Sequence, residues 1–143
     1  MMQSYPPWLL EALQDLGRGV EEVPGPGNNP DIVAYHHYTT LDAKDDATPW
    51  CSSTMCAWME RAGIRSPRSA AAADWRRWGK ELGEGEQCLG CVVVMSRPGG
   101  NHVCLYLDED DNGIYCLGGN QDDKVCIRRY LWDNITNFRW PEG

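Results

Sequence analysis

Positive charge and long apolar runs are scarce in this sequence. Its 143 residues contain 13 Lys and Arg against 21 Asp and Glu, so the formal net charge is −8. A nucleic-acid-binding protein needs a basic face to neutralise phosphates, and we therefore expect no nucleic-acid partner. No stretch approaches the roughly 20 apolar residues of a transmembrane helix, so we expect no insertion into a membrane.

The N-terminus also lacks the pattern of a secretory signal. Residues 1–7 contain no basic segment followed by an apolar run. We therefore expect synthesis in the cytoplasm, outside an oxidising compartment. The cysteine count of seven is odd, which also argues against a full disulfide framework. The length suits a single domain, residues 1–143, large enough to bury a core unaided.

Helical spacing dominates the first half of the chain and short β-rich runs dominate the second. Helices are predicted at residues 6–17, from Pro30, at 51–63 and at 69–82, and strands at 91–96, 103–108, 113–117 and 124–130. The turns between the strands are short, which favours an antiparallel meander. The order predicts an α+β fold, with N-terminal helices packed on a C-terminal antiparallel β-sheet.

Cys51 is the candidate nucleophile because it lies at the predicted start of the third helix. Free N–H groups and the helix dipole at such a position favour an anion, and the thiolate is the reactive form of cysteine. The preceding Pro49 makes the approach to the helix extended and rigid. The alternative is that Cys51 is a small buried core residue.

His102 is the candidate base because it begins a predicted strand directly after a glycine-rich turn. If Glu109 pairs with Gly113, His102 lies opposite Asn120, and a slip of one residue places it opposite Gln121 or Gly119. An Asn120 amide oxygen could accept the imidazole N–H and fix the productive tautomer. The alternatives are a structural histidine and a polar turn residue.

These residues stand in motifs that resemble the NlpC-type and CHAP-type cell-wall cysteine peptidases. The motifs are Pro49-Trp50-Cys51-Ser52, Asn101-His102-Val103 and Leu117-Gly118-Gly119-Asn120-Gln121, and the resemblance is strongest to a small phage-associated branch. Supporting matches extend from Trp8 to Pro141. Asn101 departs from the pattern, which usually has Gly before the histidine, and Cys91 replaces a usual Asp or Ala.

The resemblance implies a minimal papain-like fold with the nucleophile at the N-terminus of a helix. It further implies a Cys51–His102–Asn120 thiol mechanism that cleaves an amide bond in the stem peptide of bacterial peptidoglycan, as endolysins and antibacterial effectors do. N-acetylmuramoyl-L-alanine amidase activity with the same triad is an alternative. We assign Trp50, Asp46 and Gln121 to substrate binding.

The expected partner is peptidoglycan, and the expected oligomeric state is a monomer without a separate wall-binding domain. Because no export signal is seen, delivery to the wall would need a holin, a virion or a secretion machine, and an immunity protein would be a further partner. An acidic enzyme fits action from within the cell or delivery by a machine.

The other six cysteines suggest a second alternative, a non-catalytic metal-binding module. Cys88 and Cys91 have the spacing of half a zinc site, but the sequence contains no second half. The register brings Cys104, Cys116 and Cys126 together, and Cys91 or His102 would have to be the fourth ligand of such a site. We expect buried free thiols instead, including Cys56 in the core, and no metal or cofactor.

Overall fold

The computed structural model describes residues 4–142 and confirms the α+β prediction. Helices in the first half pack on one face of a six-stranded antiparallel sheet, whose strand order is β1-β6-β2-β3-β4-β5. The α-helices are α1 (Pro7–Arg18), α2 (Pro30–His36) and α3 (Cys51–Arg61). The strands are β1 (Lys80–Glu81), β2 (Val92–Arg97), β3 (Gly100–Glu109), β4 (Gly113–Gln121), β5 (Lys124–Leu131) and β6 (Ile135–Trp140). No helix in this described part of the chain is long and apolar enough to cross a membrane.

Proline and small polar residues define the ends of the first two helices. Pro7 is the first residue of α1, and Gly19, with φ of 69°, ends it two residues after the predicted stop. Pro30 is the first residue of α2. The Asn29 side chain caps α2 by accepting a hydrogen bond of 2.8 Å from the Asp31 N–H.

A buried carboxylate connects the three α-helices. Asp15 of α1 is only 3% exposed. Its Oδ2 accepts hydrogen bonds from Tyr35 Oη of α2 at 2.6 Å and from Trp58 Nε1 of α3 at 2.9 Å. Its Oδ1 accepts a bond from Arg18 at 2.9 Å. Because the Tyr35 and Trp58 donors are buried, their shared acceptor fixes α1 and α2 against α3.

The predicted fourth helix at 69–82 is wrong. The chain forms a 3₁₀ helix of six residues, Ala72–Arg77, followed by β1. Three residues per turn align Trp75 with Trp78, and their ring centroids lie 4.9 Å apart. Trp75 is fully buried, and its Nε1 donates to Ser52 Oγ at 2.8 Å. This packing overrides the α-helical propensity of the alanines at 70–73.

The pairing of β3 with β4 differs from the predicted register near the turn and agrees with it near the site. Glu109 pairs with Ile114, one residue beyond its predicted partner. A bulge at Leu107 compensates for this shift, so Leu105 pairs with Leu117 as the predicted register requires. The ladder ends at this pair. The start of β3 is therefore not paired with β4.

Strands β1 and β6 are absent from the strands predicted from the sequence. Both are short, and β6 pairs with β1 and β2 at the far side of the sheet from β5. A second 3₁₀ helix, Trp132–Asn134, connects β5 to β6. Trp132 of this helix and Phe138 of β6 both belong to the apolar layer on the face of the sheet opposite the helices, where their rings meet edge to face. These two strands therefore extend the sheet beyond the predicted meander.

Candidate active site

Cys51 is the first residue of α3, as the sequence predicts. The helix begins inside the protein, and the side chains of its first turn bond to neighbouring segments. Ser52 Oγ donates to the Ser69 carbonyl at 2.6 Å, and Thr54 Oγ1 donates to the Trp50 carbonyl at 2.7 Å. The Cys51 residue itself is 5% exposed. The structure therefore holds the thiol at a rigid and almost enclosed helix N-terminus.

The expected lowering of the Cys51 pKa is wrong for this conformation. Burial raises the pKa of the Cys51 thiol, because the anion loses contact with water. The backbone N–H groups of Val103 and Ser52 and the positive charge of Arg97 oppose this effect without reversing it. The resting residue is therefore a neutral thiol, and a nearby base has to remove its proton.

The thiol lies where β3 separates from β4. The backbone N–H of Val103, which opposes the effect of burial on the pKa of the Cys51 thiol, lies next to His102 along β3. The β3–β4 ladder ends at Leu105, so this N–H has no partner on β4. No hydrogen bond joins the thiol to the His102 ring within residues 4–142. Catalytic hydrogen bonds are often long in unliganded enzymes and tighten when substrate binds.

The ring of His102 is completely buried and is held through one nitrogen. Its Nε2 lies 2.9 Å from Gln121 Oε1 and 3.3 Å from Tyr130 Oη. Its Nδ1 is also buried and has no hydrogen-bond partner among the described residues. The ring therefore has one anchored nitrogen and one nitrogen available for chemistry.

The contacts of Gln121 determine which nitrogen of His102 carries the proton. Its Nε2 donates to the carbonyls of Cys126 at 2.7 Å and Cys116 at 3.4 Å. Its Oε1 must therefore be an acceptor, which receives bonds from His102 Nε2 and, at 2.9 Å, from Tyr130 Oη. This network places the proton on Nε2 and leaves Nδ1 as the basic atom.

The orienting contact predicted for Asn120 is made by Gln121 instead. A bulge interrupts the β4–β5 pairing between Gly118 and Gln121 and adds one residue to β4. Asn120 occupies this bulge with φ of 55°. Strict alternation would place Asn120 on the face of His102, but the extra residue brings Gln121 there. Gln121 is buried and fully bonded in this structure, and the substrate-binding role expected for it remains a prediction.

Two more residues assigned to substrate binding are parts of the core. Trp50 is fully buried, and its Nε1 donates to Glu22 Oε2 at 3.0 Å. Asp46 is 3% exposed, and its Oδ2 accepts the backbone N–H bonds of Val23 at 2.8 Å and Asn29 at 2.9 Å. Neither side chain faces solvent in this structure, and the substrate-binding roles expected for both residues remain predictions. Asp46 instead secures the loop before α2.

Tyr130 is a residue of this network that is not predicted from the sequence. It lies on β5, where Cys126 pairs with Gly118 and Tyr130 pairs with Ile114. The period of two places Cys126 and Tyr130 on one face of β5. That alternation was readable from the sequence, but the curvature that brings the Tyr130 hydroxyl to His102 was not.

The glycine pair in β4 is required by close packing. A Cβ on Gly119 would lie 2.3 Å from Thr54 Oγ1 and 2.8 Å from Trp50 Cζ3. A Cβ on Gly118 would lie 2.8 Å from both Cys104 Cβ and Gln121 Oε1. The two glycines therefore let β4 contact the start of α3 on one side and the His102 network on the other.

The remaining cysteines are not grouped as metal ligands within the described residues. All seven cysteines are free, and Cys56 is fully buried as predicted. Cys104 and Cys116 adjoin one another on the face opposite the helices, and burial raises the pKa of Cys104 far above its usual value and that of Cys91 to about 12. Within residues 4–142, no group of three or more His, Cys, Asp or Glu side chains is arranged to hold a metal ion.

The burial of His102 predicts that the fold loses stability in mild acid. Burial lowers the pKa of His102 to about 4, the charges of Arg97 and Arg128 act in the same direction, and the bond to Gln121 opposes them. Between pH 6.5 and 4 the unfolded chain binds a proton here that the folded chain does not. The free energy of unfolding should therefore fall across this window, by on the order of 3 kcal/mol from this residue.

Urea denaturation between pH 7.5 and 4 measures this effect. The His102→Gln variant should lose less stability than the unsubstituted protein over the same window, because it lacks the titrating ring. Burial also lowers the pKa of His36, so His36→Gln is the matched comparison for a second buried ring. Equal pH dependence in the unsubstituted protein and His102→Gln would contradict the prediction.

Comparison with known proteins adds one partial similarity. No protein-family profile matches the chain. The chain is similar to Kelch-like protein 40 of Xenopus tropicalis and of Xenopus laevis, with 35% identity over 74 residues in each case. These alignments cover 45% of this chain and 12% of each relative, so the chain spans a small part of the curated relatives it matches. Alignments of this extent do not define a family for the chain.

Proposed function

We propose that the protein is a cysteine amidohydrolase of papain-like fold that cleaves an amide bond in the stem peptide of bacterial peptidoglycan. One observation carries the proposal. The single available nitrogen of the His102 ring is an unprotonated Nδ1, and the next residue along β3 is Val103, whose backbone N–H opposes the effect of burial on the pKa of Cys51. A neutral thiol and a neutral, basic imidazole are the components of a nucleophile–base pair, and the proposal requires that they meet when substrate binds. The cell-wall substrate is supported by the motifs around Cys51, His102 and Gln121.

The proposed reaction has two steps, formation of a thioester with Cys51 and its hydrolysis. In the first, Cys51 Sγ bonds to the amide carbon while His102 Nδ1 takes the thiol proton. The N–H of Cys51 stabilises the oxyanion, and the amine leaves with the proton from Nδ1. In the second step, Nδ1 takes a proton from water and the water oxygen attacks the thioester. The Cys51 sulfur then leaves with the proton from Nδ1, which restores the neutral thiol and the neutral imidazole. Gln121 and Tyr130 keep the ring in the required tautomer throughout.

Access to the thiol is part of the proposal. Cys51 is almost enclosed, so a substrate carbonyl must displace part of its cover to reach the sulfur. The start of β3 is paired with β2 but not with β4, so β3 and β4 can move apart there without losing ladder hydrogen bonds. We expect the thiol–imidazole hydrogen bond to form as the substrate enters there.

Digestion of purified peptidoglycan, followed by mass spectrometry of the soluble fragments, tests the function. A cut within the stem peptide should release fragments with a new peptide amine, whereas a muramoyl-alanine amidase would release intact stem peptides. We expect fragments with a new peptide amine. Intact stem peptides would instead mean that the muramoyl-alanine bond is cleaved by the same thiol mechanism. No release of fragments at any protein concentration would contradict the proposal.

A matched pair of amide substitutions tests the role of Gln121 in the same assay. Gln121→Ala should reduce the rate by at least about 100-fold, because His102 loses its anchor and tautomer. Asn120→Ala should stay within about fivefold of the unsubstituted rate, since Asn120 does not hold the ring. The reverse ranking would restore the role predicted for Asn120.

A further inference from the structure

The segment at residues 69–77, which we call the strap, connects α3 with β3, the two elements that carry the candidate site. It contains the first 3₁₀ helix. On α3, Trp75 Nε1 donates to Ser52 Oγ at 2.8 Å, and Ser52 Oγ donates to the Ser69 carbonyl at 2.6 Å. Because Ser52 directly follows Cys51, these bonds hold the strap against the residue next to the thiol.

On β3, one side-chain hydrogen bond attaches the strap to the start of the strand. Arg76 Nη2 donates to Asn101 Oδ1 at 2.5 Å. Asn101 lies on the same face of β3 as Val103, because side chains alternate along a strand. Val103 belongs to the buried cluster that also contains Cys51 and Trp75. The Arg76–Asn101 bond therefore ties the strap to β3 on the side of the sheet where Cys51 is enclosed.

One polar group of the strap is left unsatisfied in this closed position. Arg76 Nε is buried and has no hydrogen-bond partner within residues 4–142. A buried N–H without a partner loses its bonds to water and gains none in return. Release of Arg76 from Asn101 would return Nε to water, and a short 3₁₀ helix has few internal bonds to resist the movement. These features favour local opening of the strap over unfolding of the whole chain.

We propose that the strap closes access to Cys51 and that breakage of the Arg76–Asn101 bond exposes the thiol. Cys51 is only 5% exposed while the bond is intact. In the open state the strap moves away from β3, while α3 keeps its packing in the core. The inference goes beyond the proposed function and does not depend on it, because access to the thiol can be measured without a substrate.

Alkylation of the folded protein with iodoacetamide measures this opening, since tandem mass spectrometry assigns the label to individual cysteines. A buried thiol reacts at a rate set by how often its cover opens. Cys88 is exposed and reports the reactivity of the reagent, whereas Cys56 is fully buried in α3 and reports loosening of that helix. Asn101→Ala and Arg76→Met should each raise the rate at Cys51 about tenfold relative to Cys88. The rate at Cys56 should stay within about twofold.

Two further variants separate the strap contact from a general change of charge or fold. Arg77→Met is the matched control, because Arg77 ends the same 3₁₀ helix but pairs with Asp74 at 3.4 Å. It should leave the rate at Cys51 within about twofold. The double variant Asn101→Ala/Arg76→Met should react no faster than the faster single variant, since both substitutions remove the same bond.

The charge of Arg76 cannot produce the expected acceleration. Loss of a positive charge near the thiol would raise its pKa and slow its alkylation, which is the opposite direction. A faster reaction of Cys51 in Arg76→Met would therefore report access to the sulfur.

Unchanged alkylation of Cys51 in both Asn101→Ala and Arg76→Met would overturn the inference. A parallel rise at Cys51 and Cys56 would also overturn it, because α3 would then loosen as a whole and the strap would not be what opens. A rise at Cys51 alone in both variants, absent from Arg77→Met, would support the strap whether or not the protein cleaves peptidoglycan.

Discussion

Replacing Cys51 by alanine should lower the rate of peptidoglycan cleavage by at least about 10⁴-fold. Alanine lacks the sulfur that bonds to the amide carbon, and no neighbouring side chain can take its place. Ser52 and Ser53 follow in α3, but their hydroxyls bond to the Ser69 carbonyl at 2.6 Å and to His36 Nδ1 at 2.8 Å. The measurement is the rate of fragment release from purified peptidoglycan.

Cys56→Ala is the matched control for this substitution. Cys56 lies in the same helix, is fully buried, and donates a weak bond to the Ser69 carbonyl at 3.6 Å. Its loss should reduce stability slightly and leave the cleavage rate within about threefold. A Cys51→Ala protein that still cleaves peptidoglycan at the unsubstituted rate would refute the thiol mechanism, whatever its effect on stability.

The parts of the fold predicted correctly are those determined by local chemistry. Prolines at the starts of α1 and α2 and the residue Cys51 at the start of α3 were readable from the sequence. The fourth helix failed because its propensity competes with tertiary contacts. Trp75 is fully buried against α3, and a 3₁₀ helix satisfies this contact where an α-helix does not.

The candidate site shows the same division between local and non-local information. The helix N-terminus at Cys51 was predictable, but the pKa of its thiol depends on burial by distant segments, which reverses the expected direction. The pairing that approaches His102 was predicted correctly despite an error at the turn, because a bulge at Leu107 compensated for it. A second bulge, at Asn120, then brought the side-chain amide of Gln121 to the position predicted for that of Asn120. A bulge of one residue cannot be recognised from the hydrophobic pattern. The structure was therefore needed to decide whether Asn120 or Gln121 contacts His102.

Asp15→Ala should lower the free energy of unfolding by about 4 kcal/mol, the largest stability effect that we expect from a single substitution. The change removes the acceptor of Tyr35 Oη and Trp58 Nε1 together. Both donors are buried and would lose their bonds without gaining contact with water. Arg18 and Arg61 would also lose a carboxylate partner. Urea denaturation at neutral pH measures the effect.

Two matched variants separate the acceptor from the charge. Asp15→Asn keeps the shape, and its amide oxygen at the Oδ2 position can still accept both buried donors, so it should cost about 2 kcal/mol or less. Asp31→Ala removes the exposed partner of Arg18, 2.6 Å away, and should cost less than about 1 kcal/mol. If Asp15→Ala were no more harmful than Asp31→Ala, the carboxylate would not be what fixes α1 and α2 against α3. The position of Cys51 would then depend on the packing of α3 against the sheet alone.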